Sequence, residues 1–481
     1  MKRRTFILSV LWAFLLFALS FPQILAPQAS AKSTAITAAD EQTAVSHYIL
    51  TYDRNTMSNA RALAAVTRAG GVVLNNLSEI GALLVTSPIP EFAATMRRNP
   101  GVKASKDFAI NWLPKDETNG TVSAQVAKLE ASPYDAFFLP DQWNLYISKT
   151  VDAWAITEGN PAIKVAVLDS GICAHHQDLI GKVRTDLSTS FITEPGECAN
   201  DQFPVCADCP NWEDRNYHGS HVAGTIATNS LGTAGVAPNV QLIAVKVLDC
   251  TGSGTWSSVL SGIMYAANVN ADVINMSLGA FVSKTEMADP EFQALYDALG
   301  KAIQYAQKEK GCLLVTSAGN DALNLDTWPG NKYIHIPSQL AMTLQIPGIS
   351  VGATTSTDAL AHFSNYGVTG ETLTAPGGGL PASGSTPTQY ILAPCSCHSI
   401  TMANPCASSP GWYLWIRGTS MSTPHVSGAA ALIAGRLTIP KSYQWPVQIR
   451  QRLLSSSDDL GYKGRDPIFG YGRLNTLRAV Q

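Results

Sequence analysis

The sequence predicts an α/β fold: a mostly parallel β-sheet with helices on both faces, preceded by a small α+β unit. Three observations predict it. From Asp141 onward, short apolar runs at 163–168, 242–248, 273–276, 312–317 and 349–351 are separated by helical stretches such as 254–268 and 291–310. Those runs do not alternate apolar with polar, so both faces must be covered, as in parallel sheets with helical crossovers. Before them, residues 47–107 run in the order β-α-β-β-α-β, a ferredoxin-like arrangement.

The elements follow in chain order. Lys2, Arg3 and Arg4 precede an almost wholly apolar stretch of 17 residues at 5–21, and Ala29-Ser30-Ala31 offers the small residues a signal peptidase reads. This is the pattern of a secretory signal peptide over 1–31. The competing reading is a membrane anchor, since 17 apolar residues approach a spanning length. No later segment sustains about 18 apolar residues, so no membrane association is expected after cleavage. The expected location is extracellular, where disulfides are possible. Residues 32–46 are a small, polar tether. Residues 47–53 have strand character, and Ala62, Ala65, Val66 and Ala69 recur at helical spacing until Gly70-Gly71. Residues 72–77 and 82–86 follow as strands, 89–98 as a helix ended by Asn99-Pro100-Gly101, and 102–108 as the last strand. Residues 111–135 are a linker by composition. The division is therefore 1–31, 32–115 and 116–481.

The chain has 481 residues, 46% hydrophobic and 14% charged, which excludes disorder and leaves ample material for a large core. A formal charge of −3 gives no reason to expect a nucleic-acid partner. Nine cysteines are an odd number, so at least one is free, metal-bound or paired with another chain. Two inserts carry six of them: Cys198, Cys206 and Cys209 in the polar 194–215, and Cys395, Cys397 and Cys406 in the Pro/Gly/Ser-rich 377–415.

Three segments carry chemistry. The apolar strand Val165-Ala-Val-Leu ends in Asp169-Ser-Gly171, which puts a carboxylate at the carboxyl end of a sheet strand. Alone, Asp169 reads equally as a turn residue. His218-Gly-Ser-His221 opens a helix but lacks the Glu of a zinc-binding H-E-x-x-H pattern. His221 reads as structural. Gly418-Thr-Ser420 places a serine at the entry of a small-residue helix, near its positive end; the lipase-type G-x-S-x-G pattern is not met, because Ser422 holds the last position.

The order Asp, His, Ser is one of the chain orders of the serine-hydrolase triad. Over about 142–480 the sequence resembles the subtilisin-like (subtilase, S8-type) serine peptidases. The segments 165–172, 218–226 and 418–428 match the family's three signatures, with Ser427 where the family usually has Ala. Asn275-Met-Ser-Leu-Gly279 and Ser317-Ala-Gly-Asn320 match two further segments.

The resemblance implies a subtilisin-like fold and a secreted serine endopeptidase acting on polypeptides, without a catalytic cofactor and as a monomer. It implies that Ser420 is the nucleophile, His218 the general base, Asp169 the residue orienting it, and Asn320 an oxyanion donor. An extended substrate would pair between Ser277-Leu278-Gly279 and Thr251-Gly252-Ser253-Gly254, with Asp321 on the rim of the main side-chain pocket. Gln142 and Asp178 match positions that hold a structural calcium ion in many relatives. However, the loop at 228–234 is about two residues short for it, and calcium takes about 6–8 oxygens. Residues 47–107 resemble the family's inhibitory propeptide, which implies an autoinhibited, self-processed precursor. Residues 32–115 carry nine basic and six acidic groups, a net +3, and residues 1–31 another +3, so 116–481 carries −9; the opposite signs favour association. Competing functions are a peptide-binding pseudopeptidase and a zinc protein built on Cys206, Cys209, Cys395, Cys397 and His398. Cys173, Cys250 and Cys312 are expected as buried free thiols, and one disulfide is expected between the two inserts.

Overall fold

The computed structural model describes residues 45–113, 117–123, 132–193, 209–327, 332–379, 387–396 and 412–481. The expected signal peptide and Cys198, Cys206, Cys397, Cys406 and His398 lie outside the described residues. Among the described residues, no helix is long and apolar enough to cross a membrane.

The first unit runs β1 (Ser46–Tyr52), α1 (Asn59–Arg68), β2 (Val72–Leu77), β3 (Ala82–Ser87), α2 (Phe92–Arg97) and β4 (Val102–Lys106). Its antiparallel sheet has the order β2-β3-β1-β4. The Ser58 side chain caps α1 by accepting from Arg61 N–H, and Gly70, at φ +79°, ends it. Alternation along β1 divides its two faces. Tyr48 and Leu50 pack under Ala62, Val66, Phe92 and Met96 of the two helices, while Ile49 belongs to the core of the following domain. The strands β5 (Ala109–Asn111) and β6 (Glu117–Ser123) come next.

The main sheet has seven strands: β7 (Lys164–Asp169), β8 (Thr189–Ser190), β9 (Gln241–Lys246), β11 (Val273–Met276), β13 (Leu313–Ser317), β15 (Ile349–Thr354) and β16 (Leu373–Pro376). They lie in the order β16-β15-β13-β11-β7-β9-β8, and every pairing is parallel. The helices α3 (His218–Ile226), α4 (Trp256–Asn268), α5 (Gln293–Gln304) and α6 (Thr419–Ala434) cover it. Val165 and Val167 share a core with Val222, Ile226, Val426 and Ala430 of α3 and α6. Ala166 and Leu168 share the other with Val259, Ile263, Leu299 and Ile303 of α4 and α5, which also takes Ile49 and Leu84 of the first unit. Strands covered on both faces explain the unbroken apolar runs in the sequence.

Three small sheets went unread in the sequence: β10 (Ser253–Thr255) with β5, β12 (Ala280–Ser283) with β14 (Tyr333–Ile336), and β17 (Ile391–Pro394) with β18 (Trp412–Arg417) and β6. The helix expected from 254 begins at Trp256, because Thr255 caps it by accepting from Ser258 N–H. The helix expected over 291–310 is α5 followed by a π-turn at Tyr305–Glu309.

Candidate active site

β7 ends on Asp169 and α3 begins on His218, and the two side chains meet. His218 Nδ1 lies 2.8 and 2.9 Å from the carboxylate oxygens of Asp169, and both residues are buried. Gly219 makes this approach possible: a Cβ there would stand 2.1 Å from Gly171 O. The backbone leading into α3 is pinned by Asp214. Its Oδ1 accepts from Ser170 Oγ and from Asn216 and Tyr217 N–H. Its Oδ2 accepts from Ser220 N–H and Oγ. Buried Lys246 donates from beneath to Ser170 O and Glu213 O. Sequence reasoning missed Asp214 and Lys246, since a carboxylate in a polar insert and a lysine at a strand end carry no pattern.

Ser420 lies in the first turn of α6. Its Oγ donates to Ser277 O at 3.3 Å, and Ser277 Oγ donates to Ser420 O at 2.8 Å. Asn320, at the end of the loop leaving β13, accepts at Oδ1 from Thr419 N–H (2.8 Å) and Thr419 Oγ (2.7 Å). This fixes the Asn320 amide plane beside Ser420. α3, which opens on His218, packs against α6, which carries Ser420 in its first turn.

The predicted substrate segments form the two walls of a groove, and the chain's own β5 lies in it. β5 pairs antiparallel with β10, matching Ser253 with Asn111, Gly254 with Ile110 and Thr255 with Ala109. Trp112 N–H donates to Gly252 O at 3.1 Å, and Gly279 N–H donates to Trp112 O at 2.8 Å. The Trp112 ring is fully buried, donates to Gly254 O and stacks edge-on against Trp256 at 5.3 Å. Thr251 is not brought to the groove strand: its side chain turns to Asp249 and Ser253. Leu278 is buried, its carbonyl accepting from Ser317 Oγ.

Gln142 and Asp178 do come together around the 228–234 loop, but as hydrogen-bond acceptors for N–H groups. Asp178 Oδ1 accepts from Leu231 N–H; Oδ2 accepts from Gly232 and Thr233 N–H and from Tyr413 Oη at 2.8 Å. Gln142 is doubly bonded to the Ala234 backbone. A calcium ion needs oxygens facing inward, whereas N–H donors fill this space, so these residues do not fit one.

Cys173 and Cys250, expected as free thiols, are disulfide-bonded, as are Cys209 and Cys395. Both sit in loops just beyond their strands, next to the inserts. Cys312, within the core, is a free buried thiol. The two inserts touch where Ser396 Oγ donates to Asp214 O at 2.5 Å.

The sequence pattern of the Subtilase family matches residues 160–472. The chain belongs to the subtilase family. It is 31% identical to thermitase of Thermoactinomyces vulgaris, over 73% of this chain and 99% of that one. It is 30% identical to subtilisin E of Bacillus subtilis, over 98% and 99%. Among solved structures, a lanthipeptide protease superposes with a TM-score of 0.58 at 27% identity, covering 75% of this subtilase and 98% of that chain. The epidermin leader peptide processing protease of Staphylococcus aureus has the same fold, with a TM-score of 0.65 at 22% identity, covering 91% and 98%. This subtilase is a serine-type endopeptidase, and its family needs no catalytic cofactor.

Proposed function

We propose that this subtilase is a secreted endopeptidase, made as an autoinhibited precursor that cuts itself, with Asp169, His218 and Ser420 as its triad. The observation that carries the reading is the antiparallel seating of Ala109–Asn111 and Trp112 between Gly252–Thr255 and Gly279. It is how an extended peptide adds to a sheet edge, and here the peptide is the enzyme's own linker. Backbone pairing of this kind is indifferent to most side chains.

In the reaction, Ser420 Oγ attacks the peptide carbonyl while His218 takes its proton and returns it to the leaving amine. Asp169 holds the imidazole tautomer and stabilises the cation. The Asn320 side-chain amide and the Ser420 backbone N–H receive the oxyanion; in subtilisins themselves, losing that asparagine costs about 10²–10³ in turnover. The first unit acts as the inhibitory propeptide, and the mature enzyme works as a monomer. A disulfide between the inserts would hold the cleft rim, beside the contact of Ser396 with Asp214.

The test is expression of the full chain carrying Ser420→Ala in a host without other extracellular peptidases. The expected product is an unprocessed precursor that takes no fluorophosphonate label, while the parent chain matures and is labelled. Normal maturation of the variant would overturn self-processing, and absence of label on the parent chain would overturn the catalytic reading.

A further inference from the structure

The linker pairs with the peptidase domain twice. β5 and Trp112 lie against β10 and Gly279. After residues 113–116 the chain pairs again, now as β6 on β18. Glu117 stands opposite Arg417, Thr118 opposite Ile416, Thr121 opposite Leu414, Val122 opposite Tyr413 and Ser123 opposite Trp412, with a bulge between Leu414 and Ile416. Both pairings end beside the nucleophile. Gly279 is two residues from Ser277, whose carbonyl accepts from Ser420 Oγ, and Arg417 is three residues before Ser420. Chain before the cut bond therefore lies on β10, and chain after it on β18.

β18 is held rigidly enough to act as a template. Its other edge pairs with β17, from Ile416 opposite Ile391 to Tyr413 opposite Pro394. The Tyr413 hydroxyl donates to Asp178 and accepts from Gln177 Nε2. Arg417 is buried, its guanidinium 5.1 Å from the centre of the Tyr390 ring and 5.9 Å from that of Phe363. The edge facing β6 carries backbone donors and acceptors, and such an edge pairs with any extended chain that reaches it. β6 belongs to the peptidase side of the cut, so separating the first unit does not release it. Residues 124–136 tether it to Phe137 and Phe138, whose N–H groups donate to Leu231 O and Gly232 O at 3.1 and 2.7 Å. A tethered strand competes with separate peptides at high effective concentration.

Resting on the peptidase reading above, we propose that β18 is the dock for the polypeptide that follows the cut bond, and that β6 stays on it in the matured enzyme as an internal competitor. A substrate with a long extended segment after the cut bond must displace β6. A substrate with a small leaving group need not. The enzyme is thus unhindered toward short-tailed substrates and restrained toward long polypeptides until β6 is displaced or trimmed.

The experiment uses the full chain, allowed to mature, and two substrates that share one sequence before the cut bond. One ends in a p-nitroanilide; the other is a fluorogenic peptide with six residues after the cut, the length of β18. Neighbouring residues of an antiparallel edge strand send their N–H groups in opposite directions, and proline has none to give. Of Thr121→Pro and Val122→Pro, one therefore loses a hydrogen bond to β18 and the other loses none. The first is expected to raise kcat/KM for the long peptide about fivefold, the weight of one hydrogen bond. The second should match the parent, and anilide hydrolysis should change in neither. Mass spectrometry of the matured parent should find Glu117–Ser123 still attached, a measurement that stands even if the proline variants fail to mature. An unchanged ratio of the two substrates in both variants, or a matured parent that begins after Ser123, overturns this assignment and leaves the peptidase reading intact. No cleavage of either substrate, with no fluorophosphonate label, overturns the peptidase reading instead.

Discussion

Ser277 and Ser420 hold one another from both sides, each donating its hydroxyl to the other's carbonyl. The exchange ties the nucleophile's backbone to the wall of the substrate groove. It also extends inward. Asn275 Nδ2 donates to Ser277 Oγ at 3.1 Å, and Ser427 Oγ donates to Asn275 Oδ1 at 2.7 Å. From Ser427 through Asn275 and Ser277 the donors run toward Ser420, whose own hydroxyl points back to Ser277 O.

Ser427, standing where the family usually has Ala, therefore satisfies Asn275 Oδ1. Ser427→Ala should cost about 1–2 kcal/mol of stability, the price of a buried acceptor losing its donor. It should lower kcat several-fold with KM little changed. Asn275→Ala should do both more strongly, since it also removes the donor to Ser277. Steady-state kinetics with thermal unfolding in a Ser420→Ala background would measure the two effects separately. Full activity and stability in Asn275→Ala would show that the row is idle.

The second prediction concerns the Asp178 knot. Four donors converge on this one carboxylate, one of them the Tyr413 hydroxyl from the second insert. Hydrogen bonds to a charged group are worth about 1.5–3 kcal/mol each. Asp178→Asn should lose about 3 kcal/mol, and Tyr413→Phe about half of that. A chelator should leave the unfolding temperature of the parent chain unchanged at this site. A drop on chelation that Asp178→Asn abolishes would show that a cation is bound there after all.

Much of this was legible from residue order and some was not, for physical reasons. The central strands could be read because covering both faces leaves unbroken apolar runs. Asp169, His218 and Ser420 could be read because each follows or opens an element beside a glycine. The pairing of β5 with β10 could not, since three-residue strands containing Gly254 have no periodicity. Tyr413 and Trp415 were assigned to a loop because the surrounding insert is rich in Pro, Gly and Ser. The structure nevertheless makes residues 412–417 a buried strand. Calcium at Gln142 and Asp178 followed from resemblance alone, and the short 228–234 loop was the sign against it.

A third prediction follows from the groove. Residues 32–115 made as a separate chain should inhibit the mature enzyme at micromolar concentration. Trp112→Ala in that chain should weaken inhibition by about 100- to 4,000-fold, because truncating a buried tryptophan costs about 3–5 kcal/mol and each 1.4 kcal/mol is about tenfold. Salt should weaken it only a few-fold. The ion pairs Arg97–Glu291 and Lys103–Asp297 are partly exposed, and such pairs contribute about 0.2–1 kcal/mol each. Titration of hydrolysis against added prosegment at two salt concentrations measures both effects. Equal potency of the Trp112→Ala chain would remove the groove from the explanation.

The last prediction is a pH dependence of stability centred on Glu213. Its carboxyl is buried next to Asp214, and burial first, then that neighbouring charge, raises its pKa from 4.5 to about 8. His175 Nδ1 lies 3.7 Å away and offsets this only when protonated; Lys246 and Arg215 oppose the shift more weakly. The folded chain thus keeps a proton that the unfolded chain releases near 4.5. The folded state binds more protons between these values, so stability falls as pH rises. The contribution is complete below pH 4.5 and has been lost by about pH 8, with a span on the order of 3–5 kcal/mol. Glu371, fully buried and also raised, acts in the same direction, so Glu213→Gln should remove part of the slope. Unfolding temperatures of Ser420→Ala and Ser420→Ala/Glu213→Gln, taken from pH 5 to 9, give the comparison. The double variant should lose less stability over that range than the single one. Parallel curves for the two would mean that Glu213 is ionised in the folded chain at neutral pH.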